Sequence, residues 1–124
     1  MKQIFFKARF VPLIMSGQKS QTVRAKTRLR PGDVVQARNR YELPAFTFLK
    51  VLAVDAMRRD ELTEADATAD GFNSLSELQQ TLTELYPELS ESSELYRIRF
   101  ERTDIPARTQ TELFQPDSSA PAEP

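Results

Sequence analysis

The sequence predicts one α+β domain, a small mixed β-barrel with helices packed against its outside or ends. Three observations lead to this prediction. The predicted elements follow the order β-α-β-β-β-α-α-β, with short strands separated by turns, as in small mixed-topology barrels. The chain of 124 residues suffices for one domain that buries about two-thirds of its unfolded surface. It contains three glycines and no phosphate-binding glycine loop, which argues against a doubly wound parallel sheet.

The first elements form a strand, a short helix and a second strand. Residues 4–10 alternate between apolar and basic side chains, which predicts a strand. Pro12 suits the first turn of the helix that follows, and Gly17 is expected to end it in the left-handed conformation. A strand over residues 21–24 completes a tight helix-to-strand corner. Such a corner holds side chains on a fixed backbone, which suits a functional site.

The middle of the chain predicts two further strands. Residues 31–33 are Pro-Gly-Asp, a turn in which proline fixes one φ angle and glycine supplies a positive one. Residues 34–38 form the next strand, and residues 39–44 a loop. Residues 45–55 give the longest strand signal. The alternation of inward and outward side chains is interrupted near residues 49–51, which indicates a bulge.

Two helices and a last strand follow. Residues 63–66 and 74–77 resemble capping boxes at helix starts. The second helix, ending near Tyr86-Pro87, carries core leucines at spacings of three, four and three: Leu75, Leu78, Leu82 and Leu85. A strand over residues 95–103 is expected to turn three side chains inward: Tyr96, Ile98 and Phe100. We assign residues 1–104 to the domain and expect residues 105–124 to be a disordered, acidic, proline-rich tail.

The composition excludes several classes of site. Because the chain has no cysteine and no histidine, it cannot form a cysteine nucleophile, a Cys/His zinc site or a Ser-His catalytic pair. Basic residues interrupt the amino-terminal apolar residues, so no secretory signal is predicted. The longest apolar run, residues 10–15, is too short to span a bilayer. We therefore expect a cytoplasmic protein without a membrane partner.

Charge is distributed unevenly along the chain. Residues 1–40 carry ten Lys or Arg and one acidic residue, whereas residues 41–124 carry seven basic and seventeen acidic residues. A cationic half of this kind attracts anionic partners, nucleic acids and nucleotides first among them. The alternative is that the two halves interleave in the fold and neutralise each other.

Four motifs occur in order along the chain. They are Ser-Gly-Gln-Lys-Ser-Gln-Thr-Val-Arg at residues 16–24, Pro-Gly-Asp at 31–33, a segment ending in Asp-Gly-Phe at 62–72, and Tyr86-Pro87. Together they resemble the ASCH family of the PUA-like superfamily over residues 2–103, and in particular its small bacterial N4-acetylcytidine amidohydrolases. The resemblance implies a β-barrel with a cleft for nucleosides or RNA, and a reaction that uses no cofactor and no metal.

The resemblance also implies site residues. The family's lysine and threonine fall on Lys19 and Thr22, and its glutamate falls on Asp70, which is one methylene shorter. Lys19 would act as the base, with Thr22 either attacking the substrate directly or positioning a water molecule. Asp70 would orient Lys19 or the exocyclic nitrogen of a modified cytidine nucleoside. Arg24 and Ser20 are the predicted substrate-binding residues.

A lysine base requires a low pKa and a suitable position. The pKa of Lys19 must fall from about 10.4 toward about 7–8, and burial with Arg24 and Lys26 nearby would lower it. On a regular strand Lys19 and Thr22 would face opposite sides. They can converge if Lys19 lies in the turn and the strand begins at about Gln21.

Two other functions are compatible with the same motifs. One is a non-catalytic RNA-binding module, favoured by the cationic amino-terminal half. The other is an RNA-cleaving enzyme of the same family that also uses Lys19. RNA is thus the alternative partner to a nucleoside.

Overall fold

The computed structural model describes residues 1–104, so the predicted tail at 105–124 lies outside the described residues. The strands are β1 (Gln3–Phe5), β2 (Gln21–Arg24), β3 (Val34–Arg38), β4 (Thr47–Arg58) and β5 (Glu94–Thr103). The helices are α1 (Val11–Ser16), α2 (Glu64–Ala69) and α3 (Leu75–Leu85), with 3₁₀ turns at Ala8–Phe10 and Arg59–Glu61. Within residues 1–104, every helix is too short or too polar to cross a membrane.

The five strands form one mixed sheet in the order β1-β3-β4-β5-β2. The β1–β3 pair is parallel, and the other pairs are antiparallel. The predicted α+β class is confirmed. The described sheet does not close between its edge strands β1 and β2, so "barrel" describes it only loosely.

The first predicted strand is wrong in its second half. β1 ends at Phe5, and Ala8–Phe10 form a 3₁₀ turn that leads directly into α1. Phe6 and Phe10 are buried, while Ala8 is exposed. Ala8 is exposed because the chain has already left the strand at this point, whereas a continuing strand would have turned Ala8 inward together with Phe6 and Phe10.

The remaining elements follow the predictions, except that β4 begins two residues later and ends three residues later than the predicted strand over residues 45–55. β2 and β3 have the predicted bounds, and Gly32 has a φ of +93° in the turn between them. The register of β4 against β5 shifts between Val51 and Ala53, which confirms the predicted irregularity in this strand. Thr63 and Asp66 form a reciprocal capping box at the start of α2.

The core lies between the sheet and the helices. Leu78 and Leu82 of α3 are completely buried, as predicted from their spacing. In β5, Ile98 and Phe100 are buried as predicted, but Tyr96 is only half-buried. Leu95, on the opposite face of the strand, is completely buried and belongs to the same apolar cluster as the α3 leucines. The core thus covers both faces of β5 near the start of the strand.

Candidate active site

The corner between α1 and β2 fixes the position of Lys19. Gly17 ends α1 with a φ of +87°, and its N–H donates to the carbonyl of Ile14. The chain then folds back so that the Lys19 N–H donates to Leu13 O at 3.0 Å. Because β2 begins only at Gln21, Lys19 lies in the turn before the strand. The sequence requires this position if the side chains of Lys19 and Thr22 are to point to the same side.

The end of α2 packs directly against this corner. The Ser20 N–H donates to Ala69 O at 2.8 Å, and Asp70 is the last residue of the helical turn. Gly71 follows with a φ of +89°. A Cβ atom at Gly71 would lie 3.1 Å from Leu13 Cδ1 and 3.5 Å from Lys19 Cβ, so glycine permits the close approach of the two segments.

Lys19 and Asp70 form a buried ion pair across this contact. The Lys19 Nζ donates to Asp70 O at 2.6 Å and also to Asp70 Oδ1. Both side chains are completely inaccessible to solvent. The second carboxylate oxygen, Asp70 Oδ2, is buried without a hydrogen bond among the described residues. The predicted orienting role of Asp70 toward Lys19 therefore has a direct geometric basis.

Burial changes the acid–base properties of the pair. Desolvation lowers the pKa of Lys19 to about 8, against the opposing effect of the Asp70 carboxylate. The charges of Arg24 and Arg9 lower it further. Lys26, which the sequence suggested, is not among the causes. Desolvation also raises the pKa of Asp70 above its ordinary value. Burial thus brings the pKa values of the two groups closer together than they are in an exposed ion pair.

Thr22 and Arg24 lie on one face of β2 and are both buried. The Nε–H of Arg24 donates to Thr22 Oγ1 at 3.0 Å, and its Nη2 donates to Phe5 O at 2.9 Å. The Arg24 side chain therefore links the two edge strands, β2 and β1. At least two of its N–H groups are engaged within the protein.

The ring of Phe6 connects the two halves of the site. Lys19 Nζ lies 5.8 Å from the centre of the Phe6 ring, and the Arg24 guanidinium carbon lies 5.3 Å from it. Lys19 Nζ also lies 4.5 Å from the centre of the Phe10 ring. Aromatic faces stabilise nearby cations. Lys19 and Arg24 thus share an aromatic neighbour, and through it Lys19, Asp70, Thr22 and Arg24 form one buried cluster.

A cavity of about 300 Å³ opens beside Lys19, the one member of this cluster that contributes to the cavity lining. Its lining includes the end of α1, Lys19, Ser20 and the end of β5 from Phe100 to Arg102. This volume is at the lower end of the range for small-molecule sites. Ser20 is exposed and stands at the cavity, where the sequence placed it as a substrate-binding residue. Its contact with a substrate stays a prediction.

Sequence reasoning missed three members of the surroundings. Arg9, in the segment wrongly predicted as a strand, lies close enough to Lys19 to lower its pKa and bonds to Glu77 at 3.0 Å. Phe6 and Phe10 supply the aromatic faces. The alternating pattern of the sequence predicted only that these two rings are buried. It could not predict their contact with Lys19, because a contact between residues far apart in the chain leaves no local pattern. In residues 1–104, no cluster of three or more acidic residues is placed to hold a metal ion.

Comparison with known proteins places this site in context. No family model matches the chain. It is 35% identical over 92 residues to a protein named N(4)-acetylcytidine amidohydrolase from Serratia proteamaculans (strain 568), covering 73% of this chain and 89% of the relative. It is 31% identical over 101 residues to a protein of the same name from Vibrio cholerae serotype O1 (strain M66-2), covering 80% and 92%.

A solved structure extends the comparison to the fold. The ASCH domain from Lactobacillus crispatus JV V101 superposes with a TM-score of 0.66 at 16% identity, covering 73% of this chain and 68% of that one. At this identity the likeness concerns the fold alone. It agrees with the mixed five-stranded sheet and its flanking helices.

Proposed function

Because the chain belongs to the ASCH family and has N(4)-acetylcytidine amidohydrolases among its relatives, we propose that it is a hydrolase that removes the acyl group from N4-acetylcytidine or related N4-acylated cytosine nucleosides. The observation that carries this proposal is the buried Lys19, whose pKa of about 8 makes it a base near neutral pH. Amide hydrolysis needs such a base, because the attacking oxygen must lose its proton as it bonds to the carbonyl carbon.

Lys19 supplies the proton transfer in this proposal. In its neutral form the Lys19 amine takes the proton of the attacking group and becomes an ammonium ion. The same ammonium then returns the proton to the N4 nitrogen as the amide bond breaks, so that cytidine leaves as a neutral amine. The Asp70 carboxylate fixes the direction of the Lys19 amine through its hydrogen bond.

Thr22 provides the second half of the chemistry. Its hydroxyl is completely buried and hydrogen-bonded to Arg24, so its oxygen is held in one position. Thr22 either attacks the acyl carbon itself, forming an ester that water then hydrolyses, or holds the water molecule that attacks. In both cases the products are cytidine and the free carboxylate of the acyl group.

The substrate would reach the cluster from the cavity beside Ser20. Free nucleosides are small enough to enter a site of this kind, and the surrounding side chains from Ile14 and Phe100 are apolar. An RNA chain would need an extended cationic surface in addition. The size of the cavity therefore fits a free nucleoside, while RNA binding stays a prediction from charge alone.

The test is incubation of the purified protein with N4-acetylcytidine, following cytidine by absorbance and acetate by a coupled assay. We expect stoichiometric formation of both products. A matched control is Lys50→Met, which removes an exposed lysine of β4 and should leave the rate unchanged. Absence of product, together with RNA affinity that falls steeply as salt is raised, would instead support the RNA-binding function.

A further inference from the structure

The guanidinium of Arg102 is held in place at the cavity that Lys19 also lines. Arg102 Nη1 donates to Met15 O at 2.9 Å, in the last turn of α1. Its Nε donates to Thr47 Oγ1 at 3.3 Å, at the start of β4. Because the guanidinium is planar and rigid, these two bonds also fix the direction of its remaining N–H groups.

Arg102 keeps donors for a ligand. Neither of its two bonds uses Nη2, and Nη1 carries a second N–H. N–H groups on these neighbouring nitrogens form a planar fork, which matches two acceptors that lie side by side in one plane. Because Arg102 lines the cavity and is exposed to solvent, a ligand can reach this fork.

The strand places Arg102 on the same side as an apolar wall of the cavity. Alternate residues of a strand share a face, so Arg102 lies on the face of β5 that carries the buried ring of Phe100. Glu101 belongs to the opposite face, where Lys50 is its cross-strand neighbour. Among the residues that line this cavity, Lys19 and Arg102 are the two cations. A ligand in the cavity therefore meets one amine and one fixed guanidinium.

The proposed substrate presents a matching pair of acceptors. In an N4-acylated cytosine, the nitrogen N4 shares one edge of the base with the ring nitrogen N3 and the carbonyl oxygen O2. N3 and O2 are adjacent acceptors in the plane of the ring. Because the proposed proton transfer requires N4 to face Lys19, N3 and O2 follow along the same edge. Enzymes that act on a nucleobase commonly read it by hydrogen bonds to this edge.

We propose that Arg102 determines the specificity for cytosine, by donating two hydrogen bonds to N3 and O2 of the base while N4 faces Lys19. This inference rests on the proposed amidohydrolase function and adds the group that selects the base. Arg102 holds the base equally before and during cleavage of the amide bond. An interaction of equal strength in the substrate complex and the transition state lowers KM and leaves kcat unchanged.

A purely structural role for Arg102 makes different predictions. Its bonds to Met15 O and Thr47 Oγ1 join α1 to β4, and α1 leads into the corner that positions Lys19. Loss of these bonds alone would therefore disturb Lys19 and change kcat together with its pH midpoint. Loss of base recognition would instead raise KM. It would leave the pH midpoint unchanged, because the charge of Arg102 is not among those that shift the pKa of Lys19.

The first experiment measures kcat and KM for N4-acetylcytidine with the wild type, Arg102→Met and the control Arg99→Met. Arg99 is an exposed arginine of the same strand that lines a different cavity. We expect KM of Arg102→Met to rise about 10–100-fold, the effect of losing a bidentate contact to a base. Its kcat per folded molecule and pH midpoint should stay at the wild-type values. Arg99→Met should keep the wild-type KM.

Arg102→Lys decides the case in which Arg102→Met does not fold. It keeps the charge, but a lysine ammonium has no planar fork and cannot reproduce two parallel hydrogen bonds. We expect its KM to rise by at least about tenfold. A wild-type KM in this variant would show that charge alone is sufficient, and would overturn the bidentate contact.

Competitive inhibition tests the contact to N3 directly. The inhibitors are cytidine, which is the product, and 3-deazacytidine, in which a C–H group replaces N3. We expect wild-type protein to bind cytidine about tenfold more tightly than 3-deazacytidine, because the analogue leaves one N–H of Arg102 without an acceptor. Arg102→Met should bind the two compounds with about equal affinity.

The outcomes separate this inference from the proposed function. Wild-type protein that releases no cytidine would overturn the proposed function, and with it this inference. Active wild-type protein, together with a wild-type KM in folded Arg102→Met, would overturn only the role of Arg102. Equal inhibition of the wild type by cytidine and 3-deazacytidine would overturn that role as well.

Discussion

The Nζ of Lys19 donates to both the backbone carbonyl and the side-chain carboxylate of Asp70, a residue 51 positions further along the chain. Neither side chain has solvent exposure. The contact joins the corner before β2 to the end of α2, and Gly71 allows the two segments to approach. The contact thereby holds the Lys19 amine in the interior of the domain, beside a carboxylate.

Removing one partner of the Lys19–Asp70 pair should strongly destabilise the protein, whereas replacing both partners together should change its stability little. Removing one partner leaves an uncompensated buried group, so Lys19→Met and Asp70→Leu should each lower the free energy of unfolding by about 3–5 kcal/mol. The double variant should lie within about 1 kcal/mol of the wild type, because apolar residues can fill the same space. Urea denaturation of the four proteins measures these values.

A surface pair provides the comparison. Lys2 bonds to Asp33 at 2.9 Å, with side-chain exposures of 37% and 29%. Lys2→Met should therefore cost less than about 1 kcal/mol. If the Lys19 and Asp70 single variants lose no more free energy of unfolding than Lys2→Met, the buried ion pair would contribute no more to stability than a surface pair.

The rate should depend on pH through Lys19. Only the neutral amine can accept a proton, and its fraction rises as pH passes the pKa of about 8. We expect kcat to increase about tenfold per pH unit below the midpoint and to level off above it. Initial rates with saturating N4-acetylcytidine across this range measure the profile. A rate that is constant from pH 6 to 9 would exclude Lys19 as the titrating base.

Asp70→Asn should move this profile to lower pH. The Asp70 carboxylate raises the pKa of Lys19 through its charge and hydrogen bond, so its neutralisation lowers that pKa. The midpoint of kcat should therefore shift below that of the wild type. Its plateau should also fall, because Lys19 loses its orienting partner. An upward shift of the midpoint would contradict the claim that the Asp70 carboxylate raises the pKa of Lys19.

Gly71 and Gly32 form a matched pair for testing the role of close packing. Both have a φ near +90°, so alanine at either position should cost about 1–2 kcal/mol in backbone strain. A Cβ at Gly32 meets nothing within 4 Å, whereas one at Gly71 meets Leu13, Phe10 and Lys19. Gly71→Ala should therefore also lower kcat per folded molecule, while Gly32→Ala should not. Equal kcat values in the two variants would contradict a positioning role for Gly71.

Much of the fold could be predicted because its signals are local. The left-handed Gly17, the Pro-Gly turn at Gly32 and the Thr63 cap each depend on a few neighbouring residues, and all are confirmed. The bounds of β2 followed from the same local chemistry. The 3₁₀ turn at Ala8–Phe10 was missed because the alternation of apolar and basic residues alone could not show that the strand ends before this turn.

The candidate site depended on contacts that no local pattern encodes. The sequence identified Lys19, Thr22 and Asp70 through family motifs, and the structure joins Lys19 to Asp70 directly. The effect of Arg9 on Lys19 and the bond from Arg24 to Phe5 O arise only when separate segments of the chain pack together. Burial, which changes the pKa of Lys19 most, is likewise a property of the whole fold.

The most direct test of the account is the rate of cytidine release from N4-acetylcytidine by the wild type, Lys19→Met and Lys19→Arg, measured at a pH above 8 and normalised to folded protein by circular dichroism. Arginine stays protonated in proteins, so it keeps the charge of Lys19 but cannot serve as a base. The account predicts that both variants lose about 10²–10⁴-fold in kcat, as expected for a general base. Either variant, folded and hydrolysing N4-acetylcytidine at the wild-type rate, would contradict it.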